Sequence, residues 1–179
     1  MERREVTGVR DYAVAETTKG GLHVTIRALR DEDREKVAAA VRGLDHASIY
    51  LRLFSHRREL TDAALDRLMR FDPASEVVLL ATVGAAAGER LIGSARYVVG
   101  KPNVAEVAFM VEEDFHGRGI ASLLLRHLAR VARVQGIETF EADVLAENKA
   151  MQSVFARSGW KVQSQRDGGT VHLTMSLPD

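Results

Sequence analysis

No cysteine occurs among the 179 residues. Disulfides, thiolate metal sites and a cysteine nucleophile are thereby excluded. No apolar run is long enough to span a bilayer, and the start Met1-Glu-Arg-Arg-Glu5 lacks the apolar stretch of a signal peptide. Charge of one sign is not in excess either. Lys plus Arg number 25 and Asp plus Glu number 25, so no net field draws the chain to nucleic acid or to a membrane surface. The six histidines show no close pairing of the kind metal sites prefer. The expectation is a cytoplasmic protein with no resident metal that binds neither nucleic acid nor membrane. No oligomeric state follows from composition. A chain of this length is one domain by the usual prior and buries about 70% of its unfolded surface.

One further absence is local. No acidic residue lies between Phe115 and Gln135. This stretch follows the apolar run Val104-Ala-Glu-Val-Ala-Phe-Met-Val111, which reads as a strand, and opens with His116-Gly-Arg-Gly-Ile-Ala-Ser122. The remainder has helical periodicity. Ile120, Leu124, Leu128 and Val131 form a core stripe, and Arg126, Arg130 and Arg133 lie on another side. Those arginines read as a solvated face, or as a partner for a ribose phosphate. A helix start carries unsatisfied N–H groups and the positive end of the dipole, so it attracts anions. Gly117 and Gly119 allow close backbone approach, and Arg118 adds positive charge. The chemistry points to a phosphate or pyrophosphate of a cofactor.

The turn is not a P-loop, because no lysine sits in it, and it fails the dinucleotide pattern Gly-x-Gly-x-x-Gly at its last position, Ser122. Its spacing resembles the acyl-CoA pyrophosphate loop of the GNAT acetyltransferase superfamily, Gln/Arg-x-x-Gly-x-Gly/Ala. His116 stands at the first position, Gly119 at the fourth and Ala121 at the sixth. His is a departure there, and its contribution is expected mainly through its backbone. The second half of that signature follows in order: a strand, Thr139-Phe-Glu-Ala-Asp-Val144, then Asn148, a short helix, and Gly159-Trp160. Gly159 ends the helix as glycine does at a left-handed cap. The resemblance spans roughly residues 22–177.

It implies acetyl-CoA as cosubstrate. Pyrophosphate donors would be the N–H groups of Arg118, Gly119, Ile120 and Ala121 in the turn of His116, Gly117 and Ser122. The pantetheine arm would lie along Ala108, Phe109, Met110 and Val111 like an added strand, with an N–H near Met110 donating to the thioester oxygen. Asn148 matches the residue that contacts the pantetheine arm or the phosphates. The general acid is weaker: Phe155 stands where many members have Tyr, and Phe cannot donate a proton.

Glu106 is the only charged residue of the run 104–111. A carboxyl desolvated in such a strand would hold a proton more tightly than in water, which suits a general base for amine deprotonation. The bland alternatives are a pair with an arginine and a place at the strand's exposed start. Bacterial protein-lysine acetyltransferases of the Pat type carry a glutamate on the matching strand in a similar Ala-Glu-Phe-Ala setting. The N-terminal half is similar to them as well, through Thr25-Ile-Arg-Ala-Leu-Arg-Asp-Glu-Asp33, Ser48-Ile-Tyr-Leu-Arg-Leu-Phe-Ser55, Arg58-Glu-Leu-Thr61 and Phe71-Asp-Pro-Ala-Ser-Glu76. Those enzymes acetylate a lysine of proteins, and many carry a large regulatory region that does not fit before Leu22. The expected acceptor is therefore a protein lysine. A small-molecule amine and a non-catalytic acyl-CoA-binding module remain as alternatives. Glu112, Glu113, Asp114, Glu138, Glu141, Asp143 and Glu147 also gather near the two central strands, as loop residues or as a lining for a cationic amine. Tyr50, Arg52 and Phe54 are weaker candidates for acceptor contact.

The elements then fall in order. Residues 1–21 are a polar lead-in arm, and residues 22–179 form one acetyltransferase domain. Within it come a strand at 22–28, a helix opened by Asp31-Glu-Asp-Arg34, helical segments at 45–54 and from Thr61, and an apolar hairpin at 76–83 and 91–99. The strand–helix–strand–helix core and a last hairpin turning at Asp167-Gly-Gly169 follow. This order predicts an α/β (α+β mixed) fold: a mixed, mostly antiparallel sheet of about seven strands flanked by about four to five helices.

Overall fold

The computed structural model describes residues 9–42 and 62–179. The expected helix at 45–54, the cap Thr61 and the acceptor candidates Tyr50, Arg52 and Phe54 lie outside the described residues.

Alternating apolar residues make β2 (His23–Ala28), β3 (Glu76–Val83), β4 (Arg90–Lys101) and β5 (Val104–Val111), each pairing antiparallel with the one before. Next come helix α3 (Ile120–Val134), strand β6 (Thr139–Leu145), helix α4 (Lys149–Ala156) and the hairpin β7 (Lys161–Asp167) and β8 (Thr170–Ser176). Helices α1 (Arg34–Arg42) and α2 (Asp62–Met69) precede β3. With β1 (Ala13–Thr17) the strands form one eight-stranded sheet in the order β1-β2-β3-β4-β5-β6-β8-β7. Only β5 and β6 run parallel.

The sheet buries both faces over its first half. On one side, Ile26, Leu79, Tyr97, Val107 and Phe140 meet Ile120, Leu124 and Leu128 of α3 and Phe155 of α4. The expected stripe of α3, with Val131, is buried throughout. Each such side chain contributes about 1.5–3 kcal/mol relative to exposure. On the other side, Leu80 and Leu91 meet Val37, Ala38 and Val41 of α1 and Leu65 of α2. Beyond β4 this second face carries polar side chains: Glu106, Glu141, Asp143, His172, Thr174 and Gln163 share it by register.

β1 lies inside the segment read as a lead-in arm. Its residues alternate between exposed and half-buried and carry no apolar run, so they give no strand signal. A buried polar chain holds it. The Tyr12 hydroxyl donates to Nδ1 of His127, and Nε2–H of His127 donates to Glu16 at 2.6 Å. His127 is fully buried on α3, and burial pushes its imidazole below the ordinary value against the pull of Glu16. Arg126 also donates to Glu16, at 3.0 Å, and Arg133 pairs with Asp179. Arg130 bonds to Tyr12, so all three arginines of the expected solvated face are engaged within the chain.

The acids expected to favour the helix dipole at 31–33 do something else as well. Asp33 is fully buried and holds Arg27 through two bonds of 2.7 and 2.8 Å. Arg27 also reaches Glu89 at 2.7 Å, and Lys36 and Thr82 complete the cluster on Glu89 at 2.8 and 3.3 Å. The Arg27 guanidinium, aided by Lys36, holds the Glu89 carboxyl down at about 2, from an ordinary 4.5. The folded value lies below the unfolded one, so this stability is present above about 4.5 and is lost as pH falls towards 2. Urea midpoints of wild type and Glu89→Gln should therefore differ at neutral pH and converge between pH 4.5 and 2. A constant gap across that range would assign the loss to another carboxylate.

Candidate functional site

β5 and β6 pair only at Val104↔Thr139, Ala105↔Phe140 and Glu106↔Glu141. From Val107 onward β5 stays on β4 as far as Val111, while β6 stays on β8 as far as Leu145. The sheet therefore forks, and Glu106 stands at the apex.

Two backbone bonds set which peptide groups face the fork. Glu112 N–H donates to Ile92 on the β4 side at 2.8 Å, and Asn103 accepts from Thr139 on the β6 side at 3.1 Å. Antiparallel pairing alternates, so even-numbered residues of β5 turn their peptide groups to β4 and odd-numbered ones to the fork. Phe109 and Val111 thus offer N–H and C=O to the opening. Met110 directs its own N–H to β4, so an N–H near Met110 that faces the opening is that of Phe109 or Val111. The side chains of Met110 and Ala108 lie on the polar face, with Met110 against the α1–α2 cluster.

Glu106 is exposed, contrary to the desolvation expected of it. The alternation that buries Ala105 and Val107 turns Glu106 to the face that no described helix covers at this point. Among the described residues it makes no hydrogen bond or ion pair, and neither does Glu141 beside it. Among the described residues no arginine pairs with it, and its exposure agrees with the other bland reading, a place at the strand's exposed start. Nearby Arg96 pairs with Glu76, Arg90 with Glu112, and His172 with Asp143 at 2.7 Å.

The turn after β5 is anchored by side chains. Phe115 stacks with both Arg90 and Arg118, each guanidinium 5.4 Å from its ring centroid. Nε2–H of His116 donates to the carbonyl of Val111 at 2.7 Å. That bond was not legible in the motif, where His116 was expected to act through its backbone. Gly117 and Gly119 take φ of +73° and +83°, the left-handed region that suits glycine. Gly119 is the N-cap of α3 and provides no side-chain cap, and the first turn holds no acid. Within the helix, N–H bonding resumes at Leu123, which donates to Gly119 at 3.0 Å. The N–H groups of Ile120, Ala121 and Ser122 precede that bond, as the first-turn donors of any helix do.

Across the fork, Asn148 is the N-cap of α4. Its Oδ1 accepts from Met151 N–H at 3.2 Å, so the carbonyl is committed to the helix and the amide NH2 remains to donate. Gln152, which the sequence did not single out, ties α4 to the carbonyls of Leu145 and Ala146 at 3.3 and 3.0 Å. Phe155 is buried with its ring 5.7 Å from that of Phe109, a packing position with no proton to give. No group of three or more His, Asp or Glu among the described residues is arranged to hold a metal, and no helix among them is long and apolar enough to cross a membrane.

The chain has recognisable relatives. Residues 28–160 match the model of the acetyltransferase (GNAT) family. An acetyltransferase of Pseudomonas aeruginosa is 31% identical over 156 residues, which cover 87% of this chain and 84% of that one. Acetyltransferase Pat of Mycolicibacterium smegmatis is 37% identical over 129 residues, 71% of this chain but 38% of its own length. The crystal structure of the GNAT domain of S. lividans PAT superposes with a TM-score of 0.81 at 30% identity, covering 92% of this chain and 97% of that domain.

Proposed function

The chain belongs to the GNAT acetyltransferase family and is an N-acetyltransferase that uses acetyl-CoA; we propose that its acceptor is a protein lysine, deprotonated by Glu106. The observation that carries this reading is an exposed carboxylate at the apex of the β5–β6 fork with no partner among the described residues. The pantetheine arm enters the fork and pairs with the peptide groups of Phe109 and Val111. Its pyrophosphate rests on the first turn of α3, against Gly119, Ile120 and Ala121. Asn148 donates its free amide from the opposite wall. In this pose the thioester carbon faces the apex, where an N–H of β5 polarises the carbonyl.

A lysine is protonated near neutral pH, with an ordinary value of about 10.4. Glu106 removes that proton directly or through one water, and the neutral amine attacks the thioester carbon. The thiolate of CoA leaves and takes its proton from the attacking amine or from water, since Phe155 supplies none. Exposure of Glu106 supports a macromolecular acceptor, because a lysine on another protein can reach a carboxylate that stands open to solvent. Similarity to Pat-type enzymes supports the same acceptor.

The test is incubation with isotope-labelled acetyl-CoA and a lysate of the host, followed by separation of proteins from small molecules. Label on protein lysines above a no-enzyme control is expected. Label confined to the small-molecule fraction would replace the lysine with a metabolite amine.

A further inference from the structure

We propose that His116 is a positioning residue that locks the pyrophosphate turn to the end of β5 and sets which backbone groups the acyl-CoA can use. The argument starts from one bond. Nε2–H of the imidazole donates to the Val111 carbonyl at 2.7 Å, across the four residues that separate strand from turn. The Val111 carbonyl faces the fork, by the alternation that Glu112 and Asn103 define. It would otherwise be the last open acceptor of the strand. With His116 on it, the fork retains the C=O of Val107, N–H and C=O of Phe109 and N–H of Val111. An amide N–H of the pantetheine arm then pairs at Phe109 or Val107, at least one repeat deeper towards Glu106.

The same bond has a second consequence. The arm and the pyrophosphate belong to one ligand, but the strand and the turn that hold them are separate pieces of chain. Gly117 and Gly119 give the turn conformational freedom, which a ligand would have to remove on binding. His116 removes it beforehand. Phe115, stacked with Arg90 and Arg118, steadies the residue before it. The imidazole acts by donating a hydrogen bond, so a side chain that can donate from a similar reach should replace it, whereas added positive charge is not required.

This inference rests on the acyl-CoA reading of the fork. The test is calorimetry with acetyl-CoA and steady-state kinetics on wild type, His116→Ala and His116→Gln. His116 is exposed, so both variants should fold, and thermal melts will check it. His116→Ala is expected to raise Kd and KM for acetyl-CoA about tenfold, the size of one net hydrogen bond, with the loss in KM rather than in kcat. His116→Gln, whose amide can donate to the same carbonyl, should recover most of it. Equal affinity of wild type and His116→Ala would overturn the proposal while leaving the function intact. Equal losses in both variants would overturn it too, because the bond would then not be what matters. A wild type that does not bind acetyl-CoA would overturn this inference together with the reading it rests on.

Discussion

Glu106→Gln is expected to leave acetyl-CoA affinity within about twofold of wild type and to lower kcat by about a hundredfold or more near neutral pH, the contribution of a positioned general base. The substitution keeps size and hydrogen-bonding reach and removes only the capacity to take a proton. Binding should be spared, because Glu106 stands at the apex of the fork on the polar face, whereas the proposed cofactor contacts are peptide groups of Phe109 and Val111 and the start of α3. Turnover should depend on pH in a defined way. Near pH 7 only a small fraction of a lysine acceptor is neutral, so the base matters most there. As pH rises towards the amine's own value the neutral form becomes abundant and the two enzymes should converge. Steady-state kinetics from pH 7 to 10 will read this. Equal turnover at every pH would remove Glu106 from the mechanism. A defect that stays constant up to pH 10 would assign it an electrostatic role on the bound amine instead.

Exposure of Glu106 changes the physical basis of its role without moving the residue. From the sequence, one charge inside an apolar run suggests burial. In the structure, period-two alternation turns that position outward, to the part of the sheet face that α1 and α2 do not reach. What sets Glu106 apart is then its lack of a partner among the described residues. Glu112 and Asp143, from the same acidic gathering, are engaged by Arg90 and His172. Glu106 and Glu141 sit side by side in register with no counter-charge from the described residues. Like charges directly opposite in a sheet are unfavourable, which fits a place where a cationic group is meant to arrive.

The features readable from the chain were those with a local cause. The glycine turn and helix start after β5 announced themselves because glycine, the absence of acid and a helical apolar stripe are adjacent in sequence. Asn148 was legible for the same reason, as the cap that opens one short helix, whereas Gly159 takes its left-handed φ two residues beyond the C-cap Arg157. The missed features join distant residues. His127 reads as one more position in α3 until Tyr12 and Glu16, more than a hundred residues earlier, are brought to it. That contact is also why β1 escaped notice, since the strand is held by polar bonds that leave no hydrophobic period. The Arg27–Asp33–Glu89 cluster spans 62 residues between its outer members, and a charge carries no mark of its distant partner. The peptide groups facing the fork could not be assigned before the β4–β5 register was known, because a shift of one residue exchanges Met110 for its neighbours.

Gly119→Val is expected to raise Kd for acetyl-CoA by about a hundredfold or more, the loss of one or two charge-assisted hydrogen bonds. Two effects must be separated. Gly119 has φ of +83°, and an L-residue there strains the backbone by about 1–2 kcal/mol wherever it occurs. An added Cβ at Gly119 meets no protein atom within 4 Å, so what it obstructs is open space at the start of α3. Gly136, at the other end of the same helix, is a matched control. Its φ is +84° and a Cβ there also meets nothing within 4 Å. Gly136→Val and Gly119→Val should therefore lose similar stability in urea, while only Gly119→Val loses acetyl-CoA binding by calorimetry. If strain alone mattered, both would bind equally. If Gly119→Val bound as tightly as wild type, the pyrophosphate would have to rest elsewhere. A selective loss at Gly119 would locate the phosphates at the helix start by the space they need, independently of any catalytic measurement.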